Sequence, residues 1–313
     1  MDKKTLHITN GNHLTKQLLE LDFAGDMLTW EEMLCEGPAF AEIDSEAFFK
    51  TRKAFFASVY QLELDVHTFK SELKKLNRKE PYSEIILWFE YDLFCHINMI
   101  AVISLIQQKN IDLPISLVCS GRIQGNKNLV GLSELSSSQL IKHYEDRVLL
   151  NQEDIKLAMS LWQIYCGNDH NLFKPFIVKS SSFIYLSNCL KAHLERFPDS
   201  KSGLNILEKN ILELVKNNTI KSEHHLLGYA LNYQGYYGFG DMQLLRIIDK
   251  LSIFFAVDTS GYKLNRKGHE ALLGQHNFYS QMKNTMFYGG VSNADFQFSK
   301  THNKLIKTPS NAY

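Results

Sequence analysis

Residues 85–89 read Ile-Ile-Leu-Trp-Phe, a strand-length apolar run with no polar alternation. A strand with one wet face alternates; one without alternation is buried on both faces, inside a sheet covered by helices on either side. Three more short strand candidates, at residues 5–9, 26–30 and 114–119, are bounded by Gly, Pro, Asn or acidic residues. Helical spacing of apolar residues fills the intervals over 14–21, 45–62, 67–76 and 93–108. This alternation predicts an α/β unit with a mostly parallel sheet flanked by helices. Its third strand, 84–89, should lie inside the sheet with neighbours on both sides.

A chain of 313 residues exceeds one ordinary core. After a polar, glycine-punctuated loop over 120–138, helical patterns occupy 139–144, 153–165 and 183–197, and residues 198–203 read as a linker. Beyond the linker lie an amphipathic helix carrying Ile206, Ile211, Leu212 and Val215, a second helix over 223–231, and a third over 242–255 capped by Gly240-Asp241. A hairpin turning at residues 258–261 and a short helix over 267–273 follow. That order resembles a winged helix-turn-helix. The expected division is residues 1–150 as the α/β domain, 151–200 as a helical connector, and 201–313 as a small winged-helix-like domain with a C-terminal extension.

Lys plus Arg equal Asp plus Glu at 34 each, so no global charge draws the chain to nucleic acid or acidic membranes. The five cysteines form no CxxC pair and sit in apolar runs, which predicts reduced thiols. The start of the sequence is too short and polar for a signal-peptide core, and a cytoplasmic protein is expected. The apolar stretch 93–108 carries His96 and Asn98 and falls short of the roughly 20 apolar residues a span needs, so no membrane partner is expected.

In open α/β sheets, ligands bind beyond the carboxyl ends of the strands. Asn10, Gly11 and Asn12 follow the first strand, where a tight turn and a helix N-terminus could receive an anion. The same residues also suit an ordinary turn and N-cap. Glu31 and then Glu36 follow the second strand, and Glu90 and Asp92 follow the third, with His96 one helical turn beyond Asp92. Asp92 alone fits an N-cap. Several carboxylates on one rim, however, call for a proton, a cation or a basic ligand. Ser120 and Arg122 follow the fourth strand, and the arginine is expected to pair with one of the glutamates. No GxGxxG, P-loop, GxSxG or HExxH is present, and no cofactor is specified.

Asn10-Gly11-Asn12, the stretch from Trp30 to Glu36-Gly37-Pro38, and Trp88 through Cys95 resemble, in order and spacing, the bacterial domain-of-unknown-function family numbered 1835. The likeness covers about the first 120 residues and extends more loosely to Gly240–Gln243 and Tyr288–Val291. It implies that the two domains travel together and brings no activity with it.

Two functions are expected from these features. One is an α/β domain that takes a small phosphorylated or nucleotide-like anionic ligand at Asn10, Gly11, Asn12, Glu31, Glu36, Glu90, Asp92, His96, Ser120 and Arg122, with a divalent cation on Glu31, Glu90 and Asp92 and hydrolysis as an extension. The other is a regulator whose winged part contacts a partner. Its third helix offers Gln243, Arg246 and Lys250 to DNA. Bases and acids nearly balance over 204–275, which favours a protein partner, a homo-oligomer included, over DNA.

Overall fold

The apolar run at 85–89 does lie inside a sheet. In the computed structural model, which describes residues 4–76 and 82–309, strands β1 (Lys4–Asn10), β2 (Asp26–Trp30), β4 (Tyr82–Phe89) and β5 (Ile115–Cys119) are parallel in the order β2-β1-β4-β5. A two-residue strand β6 (Val148–Leu149) closes the β5 edge in the antiparallel sense. Ile85, Leu87 and Phe89 point into the larger of two hydrophobic clusters, and Ile86 and Trp88 into the smaller. Both faces of β4 are therefore dry, which is why the sequence there lacks alternation.

Helices cover the two faces. On the smaller side lie α1 (Asn12–Glu20) and α5 (Ser137–Glu145), through Leu14, Leu18 and Leu140. On the larger side lie α2 (Glu46–Phe55), α3 (Val66–Leu73) and α4 (Leu93–Gln108). Helix α4 is buried along nearly its whole length, between the sheet and two helices of the following region, α6 (Gln152–Cys166) and α8 (Leu186–Glu195). It is a core helix; among the described residues no helix is long and apolar enough to cross a membrane.

Helices α9 (Ile206–Asn217), α10 (Glu223–Tyr233) and α11 (Asp241–Lys250) precede the antiparallel hairpin of β7 (Phe255–Asp258) and β8 (Gly261–Leu264), then α12 (Arg266–Leu273). An isolated bridge joins Ile220 to Tyr262. The chain then returns to its first half. Strand β9 (Phe287–Gly289) runs parallel to β3 (Gly37–Pro38) and pairs with β10 (Val291–Ser292), before a last hairpin of β11 (Phe296–Ser299) and β12 (Lys304–Lys307). One hydrophobic cluster runs from Leu6 to Leu305.

Three local readings differ from the structure. The helix expected over 45–62 is α-helical only to Phe55, and Phe56–Tyr60 form a π-helical turn that ends at Gln61 with φ 55°. The wider turn lets adjacent Phe55 and Phe56 both lie against the Arg52 guanidinium, at 4.8 and 5.2 Å. The helix expected over 242–255 stops at Lys250, and a 3-10 turn, Ser252–Phe254, delivers Phe255 into β7. The 198–203 stretch is packed in place: the Asp199 carboxylate accepts from the backbone amides of Lys201 and Ser202 at 3.0 Å each, and Phe278 N donates to Ser202 O at 2.9 Å.

The helical region is tied to the rest by a buried relay. His170 Nε2 lies 2.9 Å from the Tyr165 carbonyl, His193 Nε2 lies 2.9 Å from His170 Nδ1, and Arg196 lies 2.7 Å from His193 Nδ1. A carbonyl only accepts and a guanidinium only donates, so both imidazoles are neutral and carry their protons on Nε2. Arg196 also donates to the Cys35 carbonyl and stacks over the Tyr288 ring at 3.7 Å. Among the described residues no carboxylate pairs with it.

Burial holds His170 down at about 4 and His193 well below the ordinary value. As pH falls below 6.5 the unfolded chain takes up protons that the folded relay refuses, so stability is lost from there down through the folded pKa near 4. In His170→Gln, whose amide can donate to Tyr165 and accept from His193, urea unfolding should lose about 3 kcal/mol less than wild type between those limits. Equal pH slopes for the two proteins would mean that His170 is not held neutral.

Candidate functional site

The parallel order sends the chain out of β1 and β2 on the same edge of the sheet. Gly11 N donates to the Trp30 carbonyl at 3.1 Å, locking the two exits together. Gly11 begins α1 at φ 99° and ψ 157°, a conformation that side chains disfavour, and gives the helix no side-chain cap. A Cβ there would meet nothing within 4 Å. Beside it, the Asn12 side-chain amide donates to the Glu31 carboxylate. Asn10 is steadied from below: it donates to Cys95 Sγ at 3.1 Å and accepts from Asn98 at 2.8 Å.

These exits open into a cleft of about 800 Å³. Asn10, Gly11, Asn12 and Glu31 form its polar floor, and Trp30, Met33, Phe56, Leu62, Phe94 and Met242 an apolar wall. The far rim comes from the second half of the chain, through Gly238, Gly240, Asp241 and Gln243, at the start of α11. Glu31 is raised above the usual carboxylate range by partial burial and by the charges of Glu72 and Asp65. Glu32, also on the wall, is neutralised by the fully buried Arg52 at 2.8 Å.

The other residues singled out in the sequence lie away from this lining. Glu36 is buried behind the far rim, where it accepts from Tyr60, from Gln243 at 3.1 Å and from Arg246 at 3.1 Å. Glu90 lies against Gly131 and accepts from Ser133 N at 3.3 Å. Burial raises its pKa against the pull of those loop amides. Asp92 caps α4, accepting from Cys95 N at 2.8 Å, and burial followed by the Glu90 charge pushes it up to about 7.

His96 lies 2.9 Å from the Asp92 carbonyl through Nδ1, so that nitrogen holds its proton, and burial lowers it to about 4. The Ser120 hydroxyl is buried and has no partner among the described residues. Arg122 is exposed and, among the described residues, makes no ion pair; its loop leans instead on Tyr185, whose hydroxyl accepts from Arg122 N at 2.7 Å.

Glu90, Asp92 and Cys95 present donor atoms within 4.8 Å of one another, a set able to hold a metal ion, and Glu31 is not among them. The sequence marked residues 240–243 as a helix start and as part of the looser likeness, but not as a rim of this cleft. The rim's local signal was the pair Gly238 and Gly240 ahead of a helix start, and nothing local tied it to β1 or β2.

No protein-family model matches the sequence, and no curated protein matches it. Comparison with solved structures pairs the chain with the DNA-binding, cleavage and re-ligation domain of topoisomerase II from Plasmodium falciparum, at 13% identity and a TM-score of 0.48 over 80% of this chain. The chain spans 42% of that protein's length. Aspartate aminotransferase of the same organism aligns at 12% identity and a TM-score of 0.21, over 88% of this chain and 70% of that one. At these scores neither pairing bears on function.

The Asp92 environment yields a test. A carboxyl whose folded pKa is raised contributes its full stability below the unfolded value, near 3.8, and loses it as pH rises through about 7. Asp92→Asn keeps the capping oxygen and cannot ionise. The variant should exceed wild type in unfolding free energy by on the order of 4 kcal/mol above pH 8, and the gap should close as pH falls toward 4. A gap that does not change with pH would show that Asp92 is ionised throughout.

Proposed function

We propose that the chain binds a small phosphorylated or nucleotide-like ligand in the cleft at the carboxyl ends of β1 and β2. The observation that carries this reading is Gly11, which opens α1 with no side-chain cap and with open space where a Cβ would stand. The first amides of such a helix are suited to a phosphate, and the crevice between β1 and β4, where connections leave in opposite directions, is where open α/β sheets take ligands. Size agrees as well, since pockets for small molecules run from roughly 300 to 1,000 Å³ and are mostly apolar. Among the described residues the lining carries no Ser, Thr, Cys, His, Lys or Arg, and the proposal is one of binding.

We also propose that the resemblance to family 1835 reflects descent. Some of the residues that carry it, Asn10, Gly11, Asn12, Trp30, Phe94 and Gly240, line this cleft. The five free thiols, three of them buried, support a cytoplasmic setting.

A second reading takes residues 204–275 as a winged-helix-like unit in a regulator, contacting protein in preference to DNA. It is favoured by the third helix, α11, whose Gln243 and Arg246 face inward onto Glu36 and are unavailable to a groove. Random-sequence duplex at low salt should therefore bind weakly or not at all. Submicromolar, salt-sensitive binding would reverse the preference.

For the ligand, the test is a thermal-shift panel of nucleoside mono- and diphosphates on the full chain. A member present at about a hundred times its Kd should stabilise by about 2.7 kcal/mol. Gly11→Ala should cost about 1–3 kcal/mol from its backbone conformation alone and abolish the ligand-dependent shift. If no member moves the Tm of the wild type, the nucleotide reading fails.

A further inference from the structure

We infer that the cleft recognises a ribonucleoside unit, with the Glu31 carboxylate holding the vicinal hydroxyls of the ribose, so that the site selects ribonucleotides over deoxyribonucleotides. This rests on the nucleotide reading above and specifies it.

Position is the first argument. Glu31 leaves β2 twenty residues after Gly11 leaves β1, and the bond from Gly11 N to Trp30 O fixes one exit against the other. In a doubly wound sheet, a phosphate at the first helix N-terminus puts the ribose hydroxyls against an acidic side chain at the end of the adjacent strand. Asn12 holds one oxygen of the Glu31 carboxylate, and among the described residues nothing is bonded to the other.

Charge is the second. Among the described residues, Glu31 and Asp241 both line the cleft without an ion pair, and no Lys or Arg lines it. The part of the ligand lying beyond the α1 terminus must therefore supply hydrogen-bond donors and carry no negative charge of its own. Sugar hydroxyls and base amino groups meet that condition, and further phosphates along the cleft do not.

The third argument is an orphan. Trp30 lines the cleft, is 1% exposed, and carries an indole N–H with no partner among the described residues. A buried donor left unmade is costly, and a small shift of the lining that brought a sugar oxygen or a base nitrogen of the ligand against it would satisfy it. Phe56, Phe94 and Met242 supply an apolar wall for the base.

Calorimetric titration of the full chain with the four ribonucleoside 5′-monophosphates and their 2′-deoxy counterparts tests the inference. The tightest ribonucleotide should bind roughly tenfold to a hundredfold better than its deoxy form, the usual range for a hydrogen bond to a charged group. Glu31→Gln, which keeps an oxygen for Asn12, should weaken the ribonucleotide by a similar factor and the deoxy form, which retains only the 3′-hydroxyl, by less. Equal binding of both sugars, or an equal loss for both in the variant, would overturn the role of Glu31 while the nucleotide reading stands. If none of the eight compounds binds, the nucleotide reading falls and takes this inference with it.

Discussion

Two buried guanidiniums and a third that is partly exposed converge on one seven-residue loop. Arg52, from α2, binds the Glu32 carboxylate and the carbonyls of Met33, Glu36 and Pro38. Arg196, from the turn after α8, donates to the carbonyl of Cys35, and Arg246, from α11, pairs with the Glu36 carboxylate. Tyr165 adds a bond to the Leu34 carbonyl, and Asn98 bonds both Leu34 N and Glu32 O. A buried loop with almost no regular structure must find donors for every carbonyl, and arginine offers five in a rigid fork. The donors come from every region of the chain, so this loop is where the regions are joined, and the cleft takes part of its wall from it.

The cleft mouth and the α4 cap share a constraint. A Cβ on Gly238 would collide with the Asp92 carboxylate, so the rim residue and the capping residue fit only while position 238 stays bare. Leu93 N and Phe94 N also donate to the carbonyls of Tyr236 and Tyr237. The far rim is thus held by the backbone of α4's first turn as well as by Glu36, and both halves of the chain set the width of the opening.

What was legible in the sequence was whatever leaves a local trace. The parallel sheet followed from the missing alternation at 85–89, α4 from a continuous apolar run, and the N-cap role of Asp92 from an acid just ahead of that run. Asn10, Gly11, Asn12 and Glu31 were legible as strand exits, because topology alone puts them on one edge. Glu36 read equally well as a rim carboxylate, since its partners Gln243 and Arg246 lie some two hundred residues away and themselves read as a surface row on a helix. The pairing of β3 with β9 and Arg122 leaning toward Tyr185 depend on partners distant in the chain. No periodicity or composition records such pairings.

The parallel pairing of Gly37–Pro38 with Phe287–Gly289 has a consequence for how the chain is made. Translation at roughly 5 to 20 residues per second leaves about 10 to 50 s between the emergence of the first partner and that of the second. Over that interval the sheet can assemble from nearby contacts, but the loop beside Gly37 still waits for Arg196, Arg246 and β9. A nascent chain paused near residue 150 would present that loop and the side of α4 that α6 and α8 later cover to the solvent, as a ready target for chaperones or for a neighbouring nascent copy on the same messenger.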